Sequence, residues 1–253
     1  MRGEPIVHVK SWHVTALELS ILLFSAGRDR LPYPLQHSLP NSDEGATREE
    51  LATAKRRIEK QLSRELEEAA LCLLEPEKYA QSVSFVRDGE SAKKQRAIAA
   101  ARGAHAGVAV QEPGASESHG GDVVLRLVPR AAAAQYVVAS LPDTPAGLSR
   151  SVTGHTTVAK AAETLMPQRH PTHSDGVTAE MLFSRRRTAT GEVIVGSGPT
   201  YSTRVNETDT ALSWIDVDGD GRYLVRATGN SDCLSVLPAD GARLTREIRR
   251  CLA

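Results

Sequence analysis

The chain has 253 residues, 40% of them hydrophobic and 25% charged, which suits a globular protein of one large domain or two half-size lobes. Thirty-one Lys and Arg balance thirty-one Asp and Glu, so no net field steers it toward nucleic acid or an anionic membrane. Aromatics, at 4%, leave few platforms for stacking single-stranded nucleic acid.

The first ten residues, Met1 to Lys10, include Glu4 and no apolar core of signal-peptide length. Ala16 to Ala26 is the greasiest run, but it contains Glu18 and reaches only about half a bilayer span. Cys72, Cys233 and Cys251 are odd in number and have no CxxC or metal-ligand spacing, which points to a reducing compartment. A cytoplasmic protein is expected.

Val14 to Ser25 is expected to be a buried helix, because its apolar residues fall on nearly every face. Leu31-Pro-Tyr-Pro-Leu35 then blocks helix and forces a rigid, extended turn. Thr47-Arg-Glu-Glu50 matches a capping box. Leu51, Ala54, Ile58, Leu62, Leu66 and Ala69 follow at intervals of three and four, predicting an amphipathic helix to about Leu74, before Pro76. From Gln81 the period shortens. Strand-like pieces at 82–87, 95–101, 104–110 and 122–128 are punctuated by Asp88-Gly89, Arg102-Gly103 and the Gly/Ser-rich stretch 112–121, which argues for an antiparallel meander. Pro129 opens an Ala-rich helix to Leu141.

The second half has a similar layout. A helix is expected near 156–165, then a loop containing His170 and His173, then strands at 179–187, 192–195, 210–216, 222–228 and 233–237. Pro238 opens a terminal helix with Leu244, Ile248 and Leu252 on one face. The sequence Val123-Val-Leu-Arg-Leu-Val-Pro129 and the sequence Cys233-Leu-Ser-Val-Leu-Pro238 each lead from strand through proline into helix. Two similar halves, 1–148 and 149–253, sharing one core in an α+β fold with a central antiparallel sheet, account for this layout.

Catalytic and metal motifs are weak. Asp216-Val-Asp218-Gly-Asp220-Gly221 has the first half of a calcium-loop signature, but the twelfth position is Ala227 and the flanks are strand-like. A hairpin turn is the preferred reading. His170 and His173, separated by proline and threonine, have no third ligand nearby. Ser149, Ser151 and Ser197 lie in no GxSxG elbow, and Gly196-Ser-Gly198 lacks the spacing of a dinucleotide loop. Arg185-Arg-Arg187 is expected to be a charged exposed edge. No nucleophile, base and orienter assemble, so the chain is expected to be non-enzymatic, without metal or cofactor. The competing expectation is a small-molecule- or metal-binding α+β protein, possibly hydrolytic, using the histidine loop or the acidic turn.

Several segments taken together resemble the EspG family of actinobacterial type VII (ESX) secretion. They are the opening buried helix, Leu31-Pro-Tyr-Pro-Leu35, the charged helix from Thr47, and Leu73-Leu-Glu-Pro76. They continue with Arg102-Gly103, Leu141-Pro-Asp-Thr-Pro-Ala-Gly147, Ser151-Val152, Trp214-Ile-Asp216, Asp220-Gly-Arg-Tyr-Leu224 and the last proline-led helix. The resemblance spans nearly the whole chain. It implies a cytosolic chaperone with a quasi-two-fold fold, a central sheet and flanking helical bundles. Its implied partner is a PE–PPE heterodimer, gripped at the apolar helical tip of the PPE subunit, with no nucleic acid, no membrane insertion and a possible homodimer. The contact surface it implies falls at Val158, Leu165 and Met166 on the helix and Met181 and Phe183 on the adjoining strand. These residues are placed by position, and ordinary core is the competing role for each. Ser63 to Ala70 departs from the pattern, being charged and without the expected glycine turn.

Overall fold

A computed structural model describes residues 9–37, 44–116, 119–155, 178–199, 209–228 and 233–252. Strand β1 (Lys10–Val14) ends where Thr15 turns the chain into helix α1 (Ala16–Ser25). Thr15 accepts from the Glu18 amide and the Glu18 carboxylate accepts from the Thr15 amide, so the capping box sits here. The expected box at Thr47 is not a cap. Helix α2 (Glu44–Gln61) already runs through Thr47, so its amide lies within the helical ladder and not at its start. Helix α3 (Arg64–Leu74) is a separate element, begun by Ser63, which accepts from the Leu66 amide.

Four long strands follow: β2 (Lys78–Asp88), β3 (Ser91–Arg102), β4 (His105–Pro113) and β5 (Gly120–Pro129). Each pairs antiparallel with the next, as tight Gly-containing turns require. Beyond Pro129 the chain makes one 3₁₀ turn, Arg130–Ala132, and then helix α4 (Ala133–Val138), shorter than the expected helix.

Strand β6 (Val152–His155) opens the second half, and the expected helix near 156–165 and the His170/His173 loop lie outside the described residues. The strand expected at 179–187 is instead helix α5 (Ala179–Ser184), capped by Thr178, whose hydroxyl accepts from the Met181 amide. A short apolar run does not by itself distinguish helix from strand, and here the cap decides. Strands β7 (Arg187–Ser197), β8 (Thr210–Val217), β9 (Gly221–Thr228) and β10 (Cys233–Pro238) form a second meander. The chain ends in helix α6 (Gly241–Leu252), with Leu244, Ile248 and Leu252 buried as their spacing predicts.

The ten strands of the described residues join in one antiparallel sheet, ordered β1-β5-β4-β3-β2-β7-β8-β9-β10-β6. The two meanders meet at β2 and β7. Each runs outward from that seam, with β1 beyond β5 at one outer edge and β6 beyond β10 at the other. Helices α4 and α6 pack together on one face, over Ala99, Val108, Val193, Leu212 and Trp214. The opposite face is covered at one end by α1 and α3, through Leu19, Leu23, Leu66 and Leu73 against Ile98 and Leu125. At its other end α5 covers it, through Leu182 and Phe183 against Ile215, Tyr223 and Val236. No helix among the described residues is long and apolar enough to cross a membrane.

Candidate partner-binding surface

Of the five residues placed by position, Val158, Leu165 and Met166 lie outside the described residues. The other two share α5, not a strand, and point different ways. Phe183 is 9% exposed, packed in the α5 core cluster, with the Arg187 guanidinium 5.8 Å from its ring centroid. Its backbone oxygen accepts from Arg187 Nη2 at 2.9 Å. Met181 is 51% exposed, an apolar side chain presented outward one turn into the helix. Burial gives Phe183 a packing role and leaves Met181 available for contact.

The acidic motif forms the β8–β9 turn, where Gly219 adopts a positive φ of 68°. Its three carboxylates diverge. Asp216 is buried and accepts two bonds from Arg222, Nε at 2.7 Å and Nη2 at 2.8 Å, and a third from the Thr144 hydroxyl at 2.8 Å. Arg222 also donates to the Pro142 carbonyl at 2.7 Å and stacks 4.5 Å from the centroid of the Trp214 ring. Asp218 pairs at the surface with Arg186, at 3.7 Å. Asp220 pairs with Arg185, and accepts from the Leu148 amide at 2.6 Å and from the Tyr223 hydroxyl at 2.9 Å. Burial alone would raise the Asp220 carboxyl; the Leu148 N–H, the Tyr223 hydroxyl and Arg185 together hold it below the usual carboxylate range. Among the described residues no three His, Cys, Asp or Glu side chains converge to hold a metal ion.

The same contacts fasten the 142–149 segment across the hairpin. The Arg222 and Gly147 amides exchange bonds with the Pro145 and Arg222 carbonyls at 2.8 and 2.9 Å, and the Ser149 amide donates to the Tyr223 hydroxyl at 2.9 Å. A Cβ on Gly147 would run into the Tyr223 ring, so only glycine allows the crossing. The Arg185–Arg187 run is exposed at Arg185 and Arg186, as expected, but it does not lie on a sheet edge. Strand β7 lies inside the sheet, and its entry arginines answer the aspartates of the neighbouring hairpin. Two segments that were separate pieces of sequence pattern, 141–147 and 220–224, form one joint.

Between its covered ends, the face shared by α1, α3 and α5 is less protected. A row of directly paired residues crosses all ten strands there, and direct partners point to the same side. The row begins with Val14 and Val123 and finishes with Val225, Val236 and Val152. Its middle runs Gln111, Arg96, Val83, Glu192, Ser213. The 31–37 segment closes over the first two: Arg96 Nη2 donates to Gln36 Oε1 at 2.7 Å, and Gln111 exchanges bonds with the Gln36 backbone at 2.9 and 2.7 Å. Past Arg96 the described residues cover the row less completely. Val83, Phe85, Glu192 and Ser213 are only half-buried. Nothing in the local pattern of β7 distinguishes Glu192 from any polar strand residue; only cross-strand register sets it at the centre of this face.

Among known families, the model described as the EspG family matches residues 15–250, nearly the whole chain. No curated protein matches it.

Proposed function

The chain belongs to the EspG family of type VII secretion-associated chaperones, and on that premise we propose that it holds PE–PPE heterodimers in the cytosol for export through an ESX system. In this reading it grips the apolar helical tip of the PPE subunit and keeps that surface out of water, removing an aggregation hazard. The observation that carries the proposal is the family match from residue 15 to residue 250. The fold is consistent with it: a broad sheet supplies a rigid face, and Met181 stands exposed on α5 beside it. We further infer that residues 1–148 and 149–253 are duplicated halves, since both meanders run outward from the β2–β7 seam and both end in strand, proline and helix. A metal-dependent function draws no support from the acidic hairpin, whose carboxylates are each held by an arginine.

Co-expression with PE–PPE pairs encoded in the same genome tests the proposal. One pair is expected to co-elute with the chain in size-exclusion chromatography and to remain soluble only in its presence. Failure of every pair to co-purify refutes it.

A further inference from the structure

Glu192 is the one carboxylate in the cross-sheet row, half-buried and lightly bonded among the described residues. Its hydrogen bond is a long one, from the Ser213 hydroxyl at 3.4 Å, and it makes no ion pair among the described residues. Arg96 lies two strands away, roughly 9.6 Å at the usual spacing, and its guanidinium is engaged with Gln36. Tyr33 lies in the field of both. Burial chiefly raises its hydroxyl, the Glu192 charge raises it further, and Arg96 opposes. Around the carboxylate the same face offers half-buried Val83, buried Ile194 and half-buried Phe85, whose ring has the Lys94 ammonium 5.4 Å from its centroid.

A half-buried charge in an apolar setting is tolerable while water reaches it. A partner that covers this face removes that water, and an all-apolar partner would leave an unpaired buried carboxylate. A partner that brings a cation would instead form a desolvated, charge-assisted pair.

We propose that Glu192 is a specificity contact of this sheet face, which fits a helical tip carrying one Lys or Arg among aliphatic side chains. This rests on the chaperone function proposed above and adds the chemistry by which one client is told from another. The carboxylate acts in both directions, favouring a tip with the cation and rejecting one without it.

The test uses the full chain and the PE–PPE pair that co-purifies with it, with Kd measured by calorimetry. Glu192→Gln is expected to weaken binding at least about 30-fold, the lower range for removing one member of a desolvated charge pair. Glu192→Lys is expected to abolish binding, and exchanging the tip Lys or Arg of the client for Glu restores it. Rescue by charge exchange separates recognition from a folding defect, and both chaperone variants are expected to melt near the wild-type temperature. Wild-type affinity in both Glu192 variants overturns the inference while leaving the chaperone function intact. A wild-type chain that captures no pair overturns the function itself, and this inference with it.

Discussion

Replacing Arg222 with methionine isolates the joint between the hairpin and the 142–149 segment. Both side chains of the Asp216–Arg222 pair are 1% exposed, and the geometry is bidentate. The substitution keeps an unbranched apolar stem but leaves the Asp216 carboxylate buried with only the Thr144 hydroxyl. It also takes the donor from the Pro142 carbonyl and the cation from the Trp214 ring. Breaking one side of such a pair costs about 3–5 kcal/mol. At about 2–4 °C per kcal/mol for a chain of this size, melting should fall by about 6–20 °C. Urea unfolding followed by circular dichroism measures the loss directly, with an unchanged slope showing that only stability moved. The double variant Asp216→Leu with Arg222→Met removes both charges and should recover most of the loss. A loss below about 1 kcal/mol would place the pair with ordinary surface bridges and refute the reasoning.

Asp220 sets a pH dependence. Its folded carboxyl is held below its unfolded value of about 4, so the stabilisation is complete above that pH and is lost as pH falls through the folded value. The stability gap between wild type and Asp220→Asn should be constant from pH 5 to pH 8 (about 1 pH unit above that unfolded value and upward) and shrink below about pH 4; a gap that widens on acidification contradicts this. Gly147→Ala should destabilise by about 1–3 kcal/mol, because the new methyl must displace the Tyr223 ring or lift the crossing segment; thermal denaturation decides it. Phe183→Ala should cost about 3–5 kcal/mol through the cavity left against Ile215 and Tyr223. Met181→Ala should leave melting unchanged within about 0.5 kcal/mol yet weaken client capture, and equal effects of the two on stability would remove the distinction drawn between them.

Much of this fold is legible in the sequence. The meander at 82–128 could be read because strand alternation and Gly-containing turns are local signals, and the strands formed in that order with somewhat longer ends. The same holds for the helix after Pro238, whose apolar stripe at Leu244, Ile248 and Leu252 has only one face to bury. The misplacements share one cause. Thr47 matched a cap but lies inside α2, and 179–187 matched a strand but divides into α5 and the start of β7. In both, a few residues satisfy two local patterns, and neighbouring backbone decides between them.

The amino-acid sequence by itself determined the fold class, the positions of most strands, the presence of a helix after Pro129 and after Pro238 (though both prolines close strands and do not open the helices) and the turn character of the acidic motif, because each depends largely on contacts a few residues apart. Only the tertiary structure decided what those pieces meet. Arg222 lies six residues from Asp216, yet the strap that completes the pair comes from Pro142 and Thr144. Arg185 and Arg186 are solvated as expected, but the β8–β9 hairpin also supplies aspartates that pair with them. Glu192 was one polar residue in a strand until β2 and β8 flanked it and set its carboxylate at the middle of the sheet face. Pairing between distant strands is won by burial and register over the whole sheet, and no short stretch of chain encodes that competition.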